Sequence, residues 1–416
     1  NLLTKYGIRT EVTATPRTSA ERYTFPEGTG HILLNLGEGL TNESGAWVRR
    51  VSDTEVEGMK LLGTFCYNPQ AVFPVYFVMR VSKRPAATGF WKKQPPKQGV
   101  EAEWDKDAGN YKLYTQYGKD IAGDDVGVWF SYDMQPGEQV EVRMGVSFVS
   151  AENARLNLEA EQQGRSFDDI RAAARRTWND DLGRIRVEGG TEAQKKVFYT
   201  GLYHALIHPN VLSDVNGEYP AMESAEIRTA EGNRYTVFSL WDTYRNLHQL
   251  LTLVYPERQL EMVRSMVGMY REWGWLPKWE LYGRETFTME GDPSIPVIVD
   301  TWMKGLRDFD MDAAYEAMRK SATTPGARNR MRPDIDPYIE KGYVPLGFYA
   351  RDLSGDNSVS HALEYYIADH ALSLLADSLG KKDDAALFRA RSLGYKNYYS
   401  TESGTFRPIT KIGRAH

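Results

Sequence analysis

An antiparallel β-sandwich followed by an α/α toroid, a multidomain β + α architecture, is the fold class the sequence predicts, and three features predict it. Short runs alternating apolar and polar residues fill positions 1–150, punctuated by Pro, Gly and Asn. That is the pattern of many short strands that each bury one face. From about position 151 the period becomes that of amphipathic helices rich in Ala, Leu, Arg and Glu. Beyond 190 the helices succeed one another without intervening strands, as helical hairpins do.

In the sandwich the alternating runs are 10–15, 31–36, 46–51, 72–81, 127–132 and 139–149, with turns at Phe25-Pro26-Glu27-Gly28 and Gln135-Pro136-Gly137. The charged, proline-bearing stretch 84–109 reads as a long loop. Helices over 151–163 and 167–182 form a linker spanning 151–186. Ser166 caps the second of them, with Asp168 and Asp169 favourably placed in its first turn. Gly189-Gly190 then leads into a helix opened by Thr191. Residues 187–416 form the toroid, with helices at 191–208, 240–254, 256–271, 293–307, 310–321, 335–341, 359–379 and 382–399. A closed ring of six hairpins needs twelve helices. The expectation is therefore a toroid of about eight of twelve helices, lacking about four on its C-terminal side, and a sandwich that begins inside a strand.

Composition limits the function classes. The 416 residues carry a net charge of −5 with no basic block, which argues against nucleic acid or anionic membrane as a partner. No run of eighteen apolar residues is present to span a bilayer. Cys66 is the single cysteine and reads as a buried small hydrophobe. His204 and His208 are spaced as zinc ligands can be, but no third ligand or metalloprotease Glu accompanies them, so they read as packing. Asp334-Ile-Asp336, flanked by Pro333 and Pro337, reads as a turn and not a calcium loop. Asn42-Glu-Ser44 fits a glycosylation acceptor pattern. Nucleotide loops and a Gly-x-Ser-x-Gly elbow are missing from the sequence.

The chemistry concentrates in 239–293. There SLWDTYR at 239–245 is followed by GWLPKW at 274–279 and ETFTMEGDP at 285–293. Five of the ten tryptophans lie between Trp241 and Trp302, interleaved with Asp242, Arg245, Lys278, Glu285 and Asp292. Flat apolar faces beside planar hydrogen-bonding groups suit a sugar ring, with its C–H face and its equator of hydroxyls. The residues alone imply a carbohydrate pocket.

From SLWDTYR outward the chain resembles the calcium-dependent exo-α-mannosidases of glycoside hydrolase family 92, common in Bacteroidetes. The resemblance rests on many blocks in order: Glu11-Val-Thr-Ala-Thr15, Arg22-Tyr-Thr-Phe-Pro26, Phe148-Val-Ser-Ala-Glu-Asn153, Gly190-Thr-Glu-Ala-Gln-Lys195, Phe198-Tyr-Thr200 and Tyr203-His204. It continues through GDPSIPVIVD at 291–300, Ser358-Val-Ser360, Leu363-Glu364-Tyr365 and Phe406-Arg407-Pro408. It implies a β-sandwich on an (α/α)6 barrel, inverting hydrolysis of terminal α-mannose in N-glycan or mannan-type oligosaccharides, a Ca²⁺ ion on the sugar, and a periplasmic, secreted or cell-surface location.

Carried over residue by residue, the resemblance makes Asp242 the carboxylate that holds mannose, through O4 and O6. Trp241, Arg245, Trp275, Trp279, Glu285 and Asp292 are further substrate-binding candidates. Alternatives stand beside each. Trp241 and Tyr244 share a helical face and suit core packing. Arg245 suits a pair with Asp242. Trp279 could stack on sugar or plug the barrel, and Asp292 suits either the leaving-group subsite or an N-cap before Pro293. The family's acid motif, Glu-x-x-x-Trp-Gln-Tyr, does not occur in the sequence, nor do the blocks of its paired aspartates and calcium ligands. The expectation is a piece cut at both ends, residues 412–416 being open to an artefactual origin, with no catalytic or metal residue of its own and no activity alone. A trehalase- or glucoamylase-like toroid and a non-catalytic glycan-binding protein are the alternatives.

Overall fold

The computed structural model describes residues 1–37, 39, 45–63, 68–93, 111–115, 118–348, 350–351, 355–410 and 413–414. Cys66, the 42–44 pattern, residues 94–109 of the predicted loop and most of 412–416 lie outside them.

Among the described residues, twelve strands build the first part: β1 (Leu2–Leu3), β2 (Ile8–Ala14), β3 (Thr18–Thr24), β4 (Gly28–Asn35), β5 (Ala46–Arg50), β6 (Glu55–Gly63), β7 (Val72–Val81), β8 (Ala87–Lys93), β9 (Tyr111–Tyr114), β10 (Asp120–Gly123), β11 (Val126–Met134) and β12 (Gln139–Ser147). One antiparallel sheet runs β1-β2-β3-β12-β7-β6-β5-β10 and the other β4-β11-β8-β9. Alternation fills the space between them. Val126, Val128, Phe130, Tyr132 and Met134 of β11 meet Val48, Val56, Phe77, Met79, Val140 and Val142 of the opposite sheet.

Three strands escape the alternation rule. β3 is rich in polar residues because its second face is covered by a helix, with Ala20 packed under Phe167 and Ile170. β6 reads irregularly around Gly58, where a Cβ would stand 2.3 Å from the Trp47 carbonyl oxygen. The predicted loop 84–109 is corrected at its start. β8 occupies part of it, pairing with β11 on one side and β9 on the other and burying Phe90.

Two helices, α1 (Ala151–Gln162) and α2 (Phe167–Leu182), lie on the outer face of the larger sheet. α1 sits so close that a side chain at Gly145 would meet the Ala154 carbonyl oxygen at 2.2 Å. Ser166 caps α2 in a reciprocal box with Asp169. A buried joint connects this layer to the helical part: the Asp214 carboxylate accepts from Ser147 Oγ (2.7 Å), Asn153 Nδ2 (2.8 Å) and Asn157 Nδ2 (2.6 Å).

The second part is helical: α3 (Glu192–Ala205), α4 (Leu240–Thr243), α5 (Leu247–Val254), α6 (Pro256–Trp273), α7 (Ser294–Met303), α8 (Met311–Thr323), α9 (Ile335–Lys341), α10 (Ser358–Ser378) and α11 (Lys382–Ser392). Their core gathers Leu251, Met262, Met266, Ile295, Ile298, Met318, Leu372 and Leu375. The segment expected as one helix over 240–254 is two. Arg245 Nε donates to the Trp241 carbonyl (3.1 Å) and Gln249 Nε2 to that of Tyr244 (2.7 Å), so side chains take over the bonds a continuous helix would make. Short ribbons also interrupt the helices, contrary to the strand-free expectation. One is the three-stranded sheet of Phe238–Ser239, Trp279–Leu281 and Arg284–Glu285.

Candidate functional site

That small sheet organises the site. Ser239 pairs with Trp279, and Glu280 with Glu285, so SLWDTYR and the 279–291 hairpin lie side by side. α4 begins immediately after Ser239, and the Ser239 hydroxyl donates to the Asp242 carboxylate. Asp242 is exposed and Trp241 half-buried beside it. The Trp241 indole N–H is buried and meets no hydrogen-bond acceptor among the described residues.

Arg245 does not pair with Asp242, and that expectation is corrected. Its Nη2 donates to Glu364 Oε1 at 2.7 Å, and its guanidinium carbon lies 5.0 Å from the Trp241 ring and 4.9 Å from that of Tyr244. Glu364, on α10, also accepts from the Tyr244 hydroxyl at 2.6 Å. Two side chains from the turn that follows α4 thus share one distant carboxylate.

Glu285 is fully buried and its oxygens accept from the backbone N–H groups of Lys278 (2.8 Å), Trp279 (2.9 Å) and Phe287 (2.9 Å). Burial raises its pKa and those bonds oppose the rise. Its carboxylate folds the hairpin and does not face a ligand, so its place among the sugar contacts is corrected. Glu280 is likewise buried, accepting from Thr236 Oγ1, Val237 N and Gly283 N, and burial pushes its pKa up to about 7.

Asp292 is also relocated. It neither caps α7, whose N-cap is Pro293 with no side-chain bond, nor lies open to substrate. It accepts from Arg332 Nε (2.8 Å) and Ser321 Oγ (2.7 Å) in the interior, because the buried Arg332 needs counter-charges. Arg332 Nη1 donates to Asp369, which also takes the Tyr338 hydroxyl, both at 2.8 Å. Burial opposes the charge on Arg332, but Asp292 and Asp369 hold its pKa well above the ordinary value. Next to this network, His361 lies between Asp334 and Glu290, and Asp334 also accepts from Tyr365 at 2.6 Å. Asp334 thus serves the interior.

Trp279 is half-buried on its strand, and Trp275 faces the Lys320 ammonium at 4.6 Å. No described contact joins Trp275 to Asp242. The structure therefore brings Trp241, Asp242 and Arg245 together on one turn, ties that turn to Trp279 through the Ser239 pairing, and buries Glu285 and Asp292 in the interior. His204 and His208 are exposed near the end of α3.

Sequence reasoning missed three contributors. Ser239 orients Asp242, Glu364 anchors Arg245, and the backbone of the hairpin and of the strand beside it is strained. Val237, Tyr282, Phe287 and Met289 have φ of 63°, 50°, 55° and 64°. Each such backbone costs about 1–3 kcal/mol and persists where surrounding structure enforces it, commonly at functional sites. Apolar spacing carries no signal for any of these.

A hard cation such as Ca²⁺ needs several oxygen ligands free of other partners. Asp242 stands open on its own, the other acids here are taken by Arg332, His361, Arg245, tyrosine hydroxyls and backbone N–H groups, and no group of three His, Cys, Asp or Glu among the described residues could hold a metal ion. These residues do not fit a calcium site.

Comparison with known proteins places the fold. The Glycosyl hydrolase family 92 N-terminal domain model matches residues 1–147 and the catalytic domain model residues 153–416. A family GH92 alpha-mannosidase of Bacteroides thetaiotaomicron superposes with a TM-score of 0.86 at 31% identity, over 99% of this chain and 52% of that one. The family GH92 inverting mannosidase of Bacteroides thetaiotaomicron VPI-5482 gives 0.84 at 27% identity, over 98% of this chain and 52% of that one. An uncharacterized secreted glycosidase of Arthroderma benhamiae is 27% identical over 277 residues, 64% of this chain and 31% of that protein. The chain thus spans about half the length of these solved relatives, and less than that of the fungal protein. Sandwich, toroid and both domain matches agree: the chain belongs to glycosyl hydrolase family 92.

Proposed function

We propose that this chain forms the sugar-binding wall of an inverting exo-α-mannosidase that removes terminal mannose from N-glycan or mannan-type glycans. The observation that carries this reading is the state of Asp242. Its carboxylate is exposed and oriented by Ser239 beside Trp241, whereas the neighbouring acids Glu285, Asp292 and Glu364 are already held by protein donors. A carboxylate accepts from two adjacent hydroxyls and fixes a ring's orientation, while an indole covers its C–H face. Two Bacteroides relatives are named as mannosidases, one inverting, and one was solved in complex with mannoimidazole.

Inversion needs a carboxylic acid at the leaving oxygen and a carboxylate that activates water from the opposite face. The resemblance assigns both, and the Ca²⁺, to motifs that these 416 residues do not contain, so no proton-transfer step is assigned to residues here. What this chain's residues do is bind and orient: Asp242 accepts from hydroxyls, Trp241 covers the ring, and Glu285 holds the hairpin closed. We further propose calcium dependence through ligands other than these, and a location outside the cytoplasm. A relative carries the name secreted glycosidase, and no helix among the described residues is long and apolar enough to cross a membrane.

The test is hydrolysis of an aryl α-mannoside by the full product of the gene, with and without EDTA, alongside calorimetric titration with mannoimidazole. Losing a charge-assisted bond, Asp242→Asn should weaken binding by about tenfold to a hundredfold. Unchanged affinity in that variant overturns the role of Asp242. Binding that is indifferent to EDTA, with no hydrolysis, would instead identify a non-catalytic glycan binder.

A further inference from the structure

Asp242 and Trp241 occupy a single helical turn of four residues, α4, with no side-chain cap at its N-terminus. A turn that short has little stability of its own, because helix formation is costly to nucleate. Something outside it must fix the pair, and the contacts point to one residue. Glu364 lies 119 residues beyond Arg245 and is itself mostly buried, with 13% of its side chain exposed. One oxygen takes the Tyr244 hydroxyl and the other the Arg245 guanidinium. Arg245 in turn grips the turn twice, by Nε to the Trp241 carbonyl (3.1 Å) and by its plane near the Trp241 ring (5.0 Å). That carbonyl belongs to the peptide that leads into Asp242.

The strained hairpin closes on the same residue. Gly291 has φ of +76°, and a Cβ there would stand 2.6 Å from the Glu364 Cβ. Glycine at 291 is what lets Glu364 approach.

We propose that Glu364 is the positioning residue of the sugar-binding wall, acting through Arg245 to hold Trp241 and Asp242 in the geometry that receives the terminal sugar. This rests on the mannose-binding reading above. Glu364 touches no sugar in this scheme, and its carboxylate serves as a fixed anchor for the Arg245 cation.

The experiment is a double-mutant cycle in the full gene product, read by calorimetric titration with mannoimidazole and by the ¹⁵N-indole resonance of Trp241 without ligand, assigned through Trp241→Phe. Glu364→Ala and Arg245→Ala should each weaken binding about tenfold, and the double variant by about the same, because both remove one linkage. The Trp241 indole N–H should exchange faster with water in all three. Gly291→Ala, which keeps the carboxylate but displaces it, should reproduce the loss. Glu364→Gln, isosteric and still able to accept from Tyr244, guards against misfolding and should lose about threefold. Losses that multiply in the double variant, or wild-type affinity in Glu364→Ala, overturn the proposal. Failure of the wild type to bind, with Trp241 loosened in Glu364→Ala as predicted, overturns the mannose reading and leaves the anchor standing. Failure to bind with an unchanged Trp241 resonance removes both.

Discussion

At the scale of single residues, the molecule separates acids that hold structure from an acid left open. The SLWDTYR block marked Asp242 as a candidate, and in the structure its carboxylate takes its orientation from the neighbouring Ser239. Glu285 and Asp292 were legible as polar residues among tryptophans but not as buried ones, since their partners are backbone N–H groups and an arginine forty residues on. Glu364 could not be read as an anchor at all, because its partner is set by the fold. Glu280 offers a titration test. Its carboxyl is raised by burial from an ordinary 4.5 to about 7, so between those values the folded chain holds the proton and the unfolded chain does not. Stability from this group is therefore full below about 4.5 and declines as pH rises to about 7. Glu280→Gln, permanently neutral, should flatten that decline when Tm is compared at about pH 5 and about pH 8. A parallel slope in variant and wild type would show that Glu280 does not titrate there.

At the scale of elements, amphipathic spacing placed the helices within a few residues, because each buries one stripe. Where both faces of a strand are covered, as in β3, alternation vanished and the strand went unread. The break between α4 and α5 was equally invisible, since the side chains of Arg245 and Gln249 cause it. A hydrogen-bonded chain compensates for that break. Thr243 meets His248 Nε2 at 3.1 Å, His248 Nδ1 meets Gln259 at 2.9 Å, and Gln259 donates to Thr301 at 2.9 Å, joining α4, α5, α6 and α7. Burial pushes the His248 pKa down to about 4 from an ordinary 6.5. In that window the unfolded chain binds the proton and the folded chain does not, so the contribution is full above 6.5 and is lost as pH falls to about 4. His248→Gln should shrink the acid-side fall in stability, followed by urea midpoints at about pH 4.5 and about pH 6.5. An undiminished fall would assign it to other groups.

At the scale of the whole molecule, the sandwich and the helical part meet through polar contacts in which Asp214 is central. Its carboxylate collects donors from the end of β12 and from α1 while it sits in the loop after α3. Asp214→Ala removes three buried bonds, leaving Asn153 only Glu218 and Asn157 only the Val146 carbonyl as acceptors, at a cost on the order of 1–3 kcal/mol for each unsatisfied donor, and should lower the midpoint of thermal unfolding. A Tm equal to wild type would show that water takes the place of the carboxylate. The two-part architecture was readable from the change of period near 151; this joint was not, because Asp214 lies in a stretch with no periodic pattern.

The arrangement around Asp214 has a bearing on protein engineering. A chimera that exchanges the sandwich of this chain for one from another homologue will seat correctly only if the graft brings along Ser147, Asn153 and Asn157, so the crossover point belongs after α1 and not at the end of the last strand.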